Sequence, residues 1–381
     1  MHNILKNFYF YDDVLKVEPF GNGHINSTFL VITKENKYII QKINTNVFKK
    51  PKEVMENIEL VTNHIKKVAS LGDCIDPKRA SLEIIETNSN SSYVVRDNSY
   101  WRCYKYIKGA TTYDIIKEPG MFYEVGQAIG LFQKQLQNIP IKKLHITIPN
   151  FHNTPVRFKK FEDVVTRDEY GRGLEIFNEI KFVFNRQKIM SKITDLLDSG
   201  EIPLRVTHND TKLDNVMIDE ETQKAICVID LDTVMPGSVL FDFGDAIRIG
   251  ASTAVEDEKD LSKVNLDINL FEQFTRGFLE KTHTFLNQKE KEYLVESARI
   301  ITLECGMRFL TDYLENDIYF KVKYPEHNLI RARTQFKLVE EIEKNYGKLQ
   351  NIVTNILASL TVKKVEELRT EEYGEKDLVL N

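Results

Sequence analysis

The chain is poor in cysteine, has no excess of positive charge, and contains no long apolar run. Its four cysteines, Cys74, Cys103, Cys227 and Cys305, are scattered through 381 residues. None is spaced as a metal-binding pair, and so few in so long a chain build no disulfide framework. Reduced, mostly buried thiols are expected. A formal charge of −5 excludes the basic footprint of a dedicated nucleic-acid binder. No window approaches the ~20 apolar residues that a membrane helix needs. The opening "MHNILKNFYFYDDV" has no basic segment leading into an apolar one, and Asp12 and Asp13 interrupt it early, so no signal peptide is read. A cytoplasmic protein is expected, with no membrane or nucleic-acid partner. Internal repeats and low-complexity tracts are also missing. What is present is ordinary: 42% hydrophobic and 29% charged residues, the composition of a globular chain built from two or three cooperating units.

The first hundred residues have the rhythm of strands. "VLKVEPF" and "STFLVIT" flank "GNGHIN", and "KENK" turns into "YIIQKIN". A helical pattern follows in "PKEVMENIELVTNHIKKVASL", with Pro51 near its start, where a missing N–H costs little. "SLEIIET", "SYVVRD" and "YWRCYKYI" return to strand character. Antiparallel strands with one helix predict a small α+β lobe over residues 1–107. From 108 to 381 the pattern turns helical: 120–139, 157–165, 174–199, 266–286, 288–316 and 329–368. The exception is 204–230, where "LRVTH", "NVMID" and "KAICVID" read as short strands and "EETQK" as a hairpin turn. The expected architecture is α+β and bilobal, with a small sheet lobe and a larger helical lobe.

One stretch is too polar for a core strand: "VTHNDTKLDNVMID", residues 206–219. A phosphoryl-transfer loop of the protein-kinase type sets an aspartate beside the acceptor hydroxyl and an asparagine five residues later on Mg²⁺. Asp210 and Asn215 have that spacing. Lys212, two past the aspartate, is placed to oppose charge on the transferring phosphoryl group. The second metal ligand should end the strand that returns from the asparagine. That position is Asp230, with Asp232 on the same face if the strand continues. A literal Asp-Phe-Gly at 242–244 competes with it. Pro236 and Gly237 make a turn before it, so Asp242 falls beyond the returning strand and reads as a support for the loop. The bland alternative, a polar turn capping its own backbone, leaves the correctly placed Asp230 unexplained.

A nucleotide site should then lie in the first hundred residues. Gly21 and Gly23 let backbone amides approach phosphates, and His24 and Asn26 can reach the transferred group or the acceptor. An ordinary hairpin turn is the competing reading for the glycine pair alone. A phosphate-facing cation on the third strand is Lys42, with Gln41 on the opposite face; a solvated strand lysine is the alternative. Its helix partner is Glu53 or Glu56. The backbone from Tyr104 to Ile107 reads as a hinge for the adenine edge.

Four runs, "THNDTKLDNVM", "VIDLDTVMPGSVLFDFGDAIRIGAS", "GNGHINSTFLV" and "ECGMRFLTDYLENDIYFKVKYPEHNLIRARTQ", together resemble the N-acetylhexosamine 1-kinases. These are anomeric sugar kinases of the aminoglycoside/choline phosphotransferase superfamily, whose fold is protein-kinase-like. The resemblance spans about residues 15–345 and is weakest in 68–100 and 155–200. It implies transfer from ATP, with Mg²⁺, to the C1 hydroxyl of N-acetylglucosamine or N-acetylgalactosamine. It implies Asp210 as base and Asn215 and Asp230 as metal ligands. Arg308 and Tyr319 then bind the sugar, with His24 and Ile249 near it. Read alone, Arg308, Asp312 and Glu315 are an ordinary helical charge network. Rival readings are a kinase of the same fold for an aminoglycoside, choline or homoserine, and a catalytically inert nucleotide-binding module. A monomer is expected, since no surface helix carries a coiled-coil pattern.

Overall fold

The computed structural model describes residues 1–10, 12–21, 25–73 and 76–378. The chain forms two compact units that interleave along the sequence. One holds Met1–Asp114, Gln135–Phe151 and Leu204–Ser238; the other holds Ile115–Lys134, His152–Pro203 and Val239–Asn381. No helix among the described residues is long and apolar enough to cross a membrane.

The first unit opens with a short helix, α1 (His2–Leu5), then three strands: β1 (Val14–Pro19), β2 (Ser27–Thr33) and β3 (Lys37–Lys42). Helix α2 (Pro51–Val68) starts with Pro51 in its first turn and buries Val54, Ile58, Val61 and Ile65, one stripe at helical spacing. Strands β4 (Tyr93–Arg96) and β5 (Ser99–Lys105) complete an antiparallel sheet in the order β1-β2-β3-β5-β4. One face packs Val31, Tyr38, Ile40 and Cys103 against Ile4, Leu5 and Phe8; each such buried side chain contributes roughly 1.5–3 kcal/mol. The expected strand "SLEIIET" shrinks to isolated bridges at Ile84 and Thr87. Two smaller sheets follow, β6-β8-β9 and β10-β7, from β6 (Ala110–Thr111), β7 (Arg205–Thr207), β8 (Val216–Asp219), β9 (Ala225–Val228) and β10 (Met235–Gly237). The predicted turn at Pro236–Gly237 is therefore a strand, with Pro236 opposite Val206. A two-stranded ribbon has only edges, where proline's missing donor is tolerated.

The second unit is helical: most of α3 (Pro119–Leu136), then α4 (Thr154–Arg167), α5 (Phe177–Phe184), α6 (Lys192–Asp198), α7 (Val239–Gly250), α8 (Ile268–Thr282), α9 (Gln288–Glu292), α10 (Leu294–Leu314) and α11 (His327–Leu378). The segment 174–199, expected to be mainly helical, is so, in short pieces that include α5 and α6. Gly126 and Gly277 permit close helix approach, since a Cβ would stand 2.3 Å from Phe274 O and 2.2 Å from Tyr123 O respectively. The core joins Phe158, Phe161 and Val164 of α4 to Leu303, Met307 and Leu310 of α10 and to Phe336 and Val339 of α11.

Candidate active site

The motif residues lie in the first unit, on two segments tied to each other. Beyond β7 the chain turns at Asn209, whose φ of 65° is left-handed, a conformation asparagine tolerates better than most residues. Its side chain holds that turn: Nδ2 donates to Thr207 O at 3.2 Å and to Thr233 O at 2.9 Å, and Oδ1 accepts from Thr207 Oγ1 at 3.1 Å. His208 Nδ1 accepts from the Asp210 N–H at 3.3 Å, so its Nε2 donates to Ile229 O at 2.8 Å, which assigns the neutral tautomer. Thr233 Oγ1 donates to His208 O at 2.7 Å. The loop is thus pinned to the returning segment by bonds that need no ligand.

The curl expected from the five-residue gap is present. Asn215 Nδ2 donates to Asp210 O at 2.8 Å and to Asp210 Oδ2 at 3.2 Å. The amide nitrogen is committed to Asp210, and the amide oxygen is left as the coordinating atom. Lys212 Nζ lies 3.3 Å from Asp210 Oδ2 and 4.0 Å from Asp214 Oδ2. Burial acts against the Lys212 ammonium, but the carboxylates of Asp210, Asp214 and Asp230 outweigh it and hold it charged above the usual lysine range. Burial, countered by Lys212, moves the Asp214 carboxyl upward.

Ile229 N donates to Asn215 O at 2.9 Å, which sets Asn215 and Asp230 at one end of the β8–β9 hairpin. β9 stops at Val228, and Asp230 has a φ of 58°, so the strand does not continue to Asp232 as the period-2 reading required. A left-handed aspartate is sparsely populated and persists only where its surroundings enforce it. Water reaches the Asp230 surface, yet dense surrounding protein, then the charges of Asp232 and Asp210, push its carboxyl up to about 6. Asp232 turns inward: its side chain is 3% exposed and paired with Arg102, itself 1% exposed. Four carboxylates thus face two cations, an excess of negative charge that suits a hard divalent cation. Among the described residues no three His, Cys, Asp or Glu side chains form a metal cage. Asn215 with Asp230 fits Mg²⁺ in its commoner mode, with few protein oxygens and the remaining ligands from phosphates and water.

The other expected nucleotide residues are dispersed. Gly21 is exposed with a φ of 72°, where glycine is at ease; Gly23 and His24 lie outside the described residues. Lys42 is exposed at the end of β3. Neither helix glutamate pairs with it: Glu53 meets Lys50 at 2.9 Å, and Glu56 meets His145 at 2.7 Å. Tyr104 sits inside the sheet opposite Ile39, and Tyr106 N donates to Lys37 O at 3.0 Å. Ile107 makes no backbone hydrogen bond among the described residues.

The residues assigned to sugar lie in the second unit. Arg308 stands 5.6 Å from the Phe320 ring centroid, and the Tyr319 ring meets Phe320 edge-on at 4.8 Å. Asp312 fixes that corner, accepting from Tyr319 N at 2.7 Å and Phe320 N at 2.9 Å. Tyr319 is 58% exposed; Ile249 is half-buried on α7. Arg157 of α4 was missed by the sequence reading. Burial and then the charge of Arg308 pull its guanidinium below the usual range, so two cations share this corner. A helical charge pattern carries no signal for that. Asp242 is fully buried in α7 and accepts from Gln133 Nε2 at 2.5 Å.

Residues 16–265 match the phosphotransferase enzyme family. The chain belongs to that family. It is similar in structure to an aminoglycoside phosphotransferase from Alicyclobacillus acidocaldarius, with a TM-score of 0.58, 10% identity and 96% of each chain covered. A microcompartment-associated aminopropanol kinase gives a TM-score of 0.56 at 13% identity, over 91% of this chain and 97% of that one. A spectinomycin phosphotransferase, solved with ADP and spectinomycin, gives 0.52 at 12% identity, over 92% and 94%. At such identities the likeness shows the fold, which is protein-kinase-like with an antiparallel-sheet lobe and a helical lobe.

Proposed function

We propose that this phosphotransferase moves the γ-phosphoryl group of ATP to the anomeric C1 hydroxyl of an N-acetylhexosamine, giving the sugar 1-phosphate. The observation that carries the chemistry is the pinned loop, where Asp210, Lys212, Asn215 and Asp230 surround one hairpin end. Asp210 orients the C1 hydroxyl and finally takes its proton. The sugar oxygen forms a bond to γ-phosphorus as the bond to the bridging oxygen breaks, and ADP leaves with that electron pair. Lys212 opposes charge on the transferring group. Mg²⁺, held by Asn215 and Asp230, would neutralise charge on the phosphate oxygens. A loose phosphoryl transition state asks for positioning and charge neutralisation more than covalent help. An anomeric hydroxyl is more acidic than an ordinary alcohol, so a carboxylate base suffices.

The acceptor class rests on the resemblance of 304–335 and on charge. Arg157 and Arg308 near Tyr319 and Phe320 suit neutral, oxygen-rich acceptors and oppose polycations or quaternary amines. A choline site wants an aromatic cage, and an aminoglycoside site wants carboxylates. The rival acceptors are amino alcohols and aminoglycosides, the substrates named for the structural relatives. The test is ADP release with ATP and Mg²⁺ across a panel of N-acetylglucosamine, N-acetylgalactosamine, aminopropanol, choline, homoserine and an aminoglycoside. Turnover on the N-acetylhexosamines alone supports the proposal. Turnover on an amine acceptor alone defeats it, and ATP binding with no turnover on any acceptor points to an inert module.

A further inference from the structure

We infer that Arg102 is a positioning residue: through Asp232 and Asn26 it fixes the start of β2, where the β1–β2 hairpin closes, against the turn that carries Asp230. The inference rests on the phosphotransfer reading above. Arg102 Nη1 hydrogen-bonds Asp232 Oδ1, and its Nε donates to Gln41 Oε1 at 2.9 Å. Gln41 Nε2 donates to Thr28 Oγ1 at 3.0 Å. On the other side, Asp232 Oδ2 accepts from Asn26 Nδ2 at 2.7 Å, and Asn26 Oδ1 accepts from Asn44 N at 3.0 Å. Asn44 Nδ2 returns to Ile25 O at 3.1 Å. One connected set of bonds therefore joins β5, β3, β2 and the turn after Asp230.

The set answers what the third strand left open. Lys42 is exposed and both helix glutamates are paired elsewhere, whereas Arg102 occupies the sheet face toward α2, with Nη1 4.0 Å from Met55 Sδ. At 1% exposure, with Nε given to Gln41 and Nη1 to Asp232, Arg102 presents almost no surface to a phosphate. It acts through the residues it holds. A stabilising salt bridge is the weaker explanation, because the cost of desolvating two buried charges largely offsets their attraction. What a satisfied buried network does supply is a single arrangement, here between a hairpin proposed to cover phosphates and a turn proposed to hold their metal.

The test uses the full chain, with ATP·Mg²⁺ affinity by calorimetry, turnover on the accepted sugar, and melting temperature. The variants are Asn26→Ala, Asp232→Asn, their double, and the apolar replacement Arg102→Met with Asp232→Leu. Asn26→Ala and the apolar replacement should each weaken ATP·Mg²⁺ binding about tenfold, with melting temperatures within about 3 °C of wild type. Asn26→Ala and Asp232→Asn should be non-additive, since both act on the Asn26–Asp232 bond. Wild-type affinity in a folded apolar replacement overturns the inference, as does additivity, or a loss that follows melting temperature and disappears on cooling. If the apolar replacement does not fold, wild-type affinity in Asn26→Ala overturns it alone. Failure of the wild type to bind ATP would instead remove the phosphotransfer reading.

Discussion

Around residues 207–235, three polar side chains of the loop are fixed by neighbours on the same two segments: Asn209 by Thr207 and Thr233, His208 by Ile229, Asn215 by Asp210. Around Arg308 and Tyr319 the groups come from α4, α10 and the loop after α10, and an exposed tyrosine stands beside half-buried arginines. Under the proposed function the first corner handles phosphate, whose chemistry is the same for every kinase of this type, so its residues follow fixed spacings. Under the same proposal the second handles the acceptor, and its residues follow that acceptor. The first can be read from one sequence; the second was reached only through resemblance.

The largest effect that would sharpen this contrast comes from Asp210→Asn. Turnover should fall by about 10²–10⁴-fold, the usual worth of a positioned base, with ATP binding by calorimetry nearly intact. Unchanged turnover removes Asp210 from the chemistry. Next, Asp230→Asn should abolish the gain in ATP affinity that Mg²⁺ confers. The metal-free protein should melt no lower than wild type, because the change removes a carboxylate crowded by Asp232 and Asp210 and asparagine accepts the left-handed backbone. Unchanged Mg²⁺ dependence would move the metal ligand elsewhere. In the second corner, Arg308→Ala should raise the sugar KM by roughly ten- to a hundredfold, the loss of a charged hydrogen-bond donor, and leave ATP affinity alone. An effect on ATP instead would break the division of labour.

The smallest effect is structural. Asp219 accepts from Thr222 N and Oγ1 at 2.7 Å each and meets Arg79 at 2.7 Å. The Thr222 N–H above all holds its carboxyl down at about 2. A depressed acid stabilises the fold above its unfolded value of about 3.9, and that contribution is lost as pH falls toward 2. Asp219→Asn should flatten the acid limb of a melting-temperature profile between about pH 4 and pH 2, with little change in sugar KM.

Much of the fold was legible because the periodicities are local: the α2 stripe, the alternation of β2 and β3, the hairpin that ends at Asp230. Helix α7 was not, since "PGSVLFDFGDAIR" mixes turn residues with an apolar run. Gly244 is at home in it because a Cβ there would stand 2.6 Å from Ser297 O, a constraint set by packing. Arg102 lies within "YWRCYKYI", which reads only as a strand. Its partner Asp232 lies 130 residues away, beyond any local signal. Alternation puts Asp232 on the face of Asp230 only if the strand continues; the strand breaks at Asp230, and a left-handed aspartate cannot be foreseen from alternation.

The central claim is that the acceptor oxygen is the anomeric one. The direct measurement is the position of phosphate in the product formed from N-acetylglucosamine or N-acetylgalactosamine, by phosphorus–proton coupling in NMR together with a reducing-end assay. Phosphorus coupled to H1, with the reducing end lost in step with ADP release, is the predicted result. A phosphorylated product that keeps its reducing end would contradict the account.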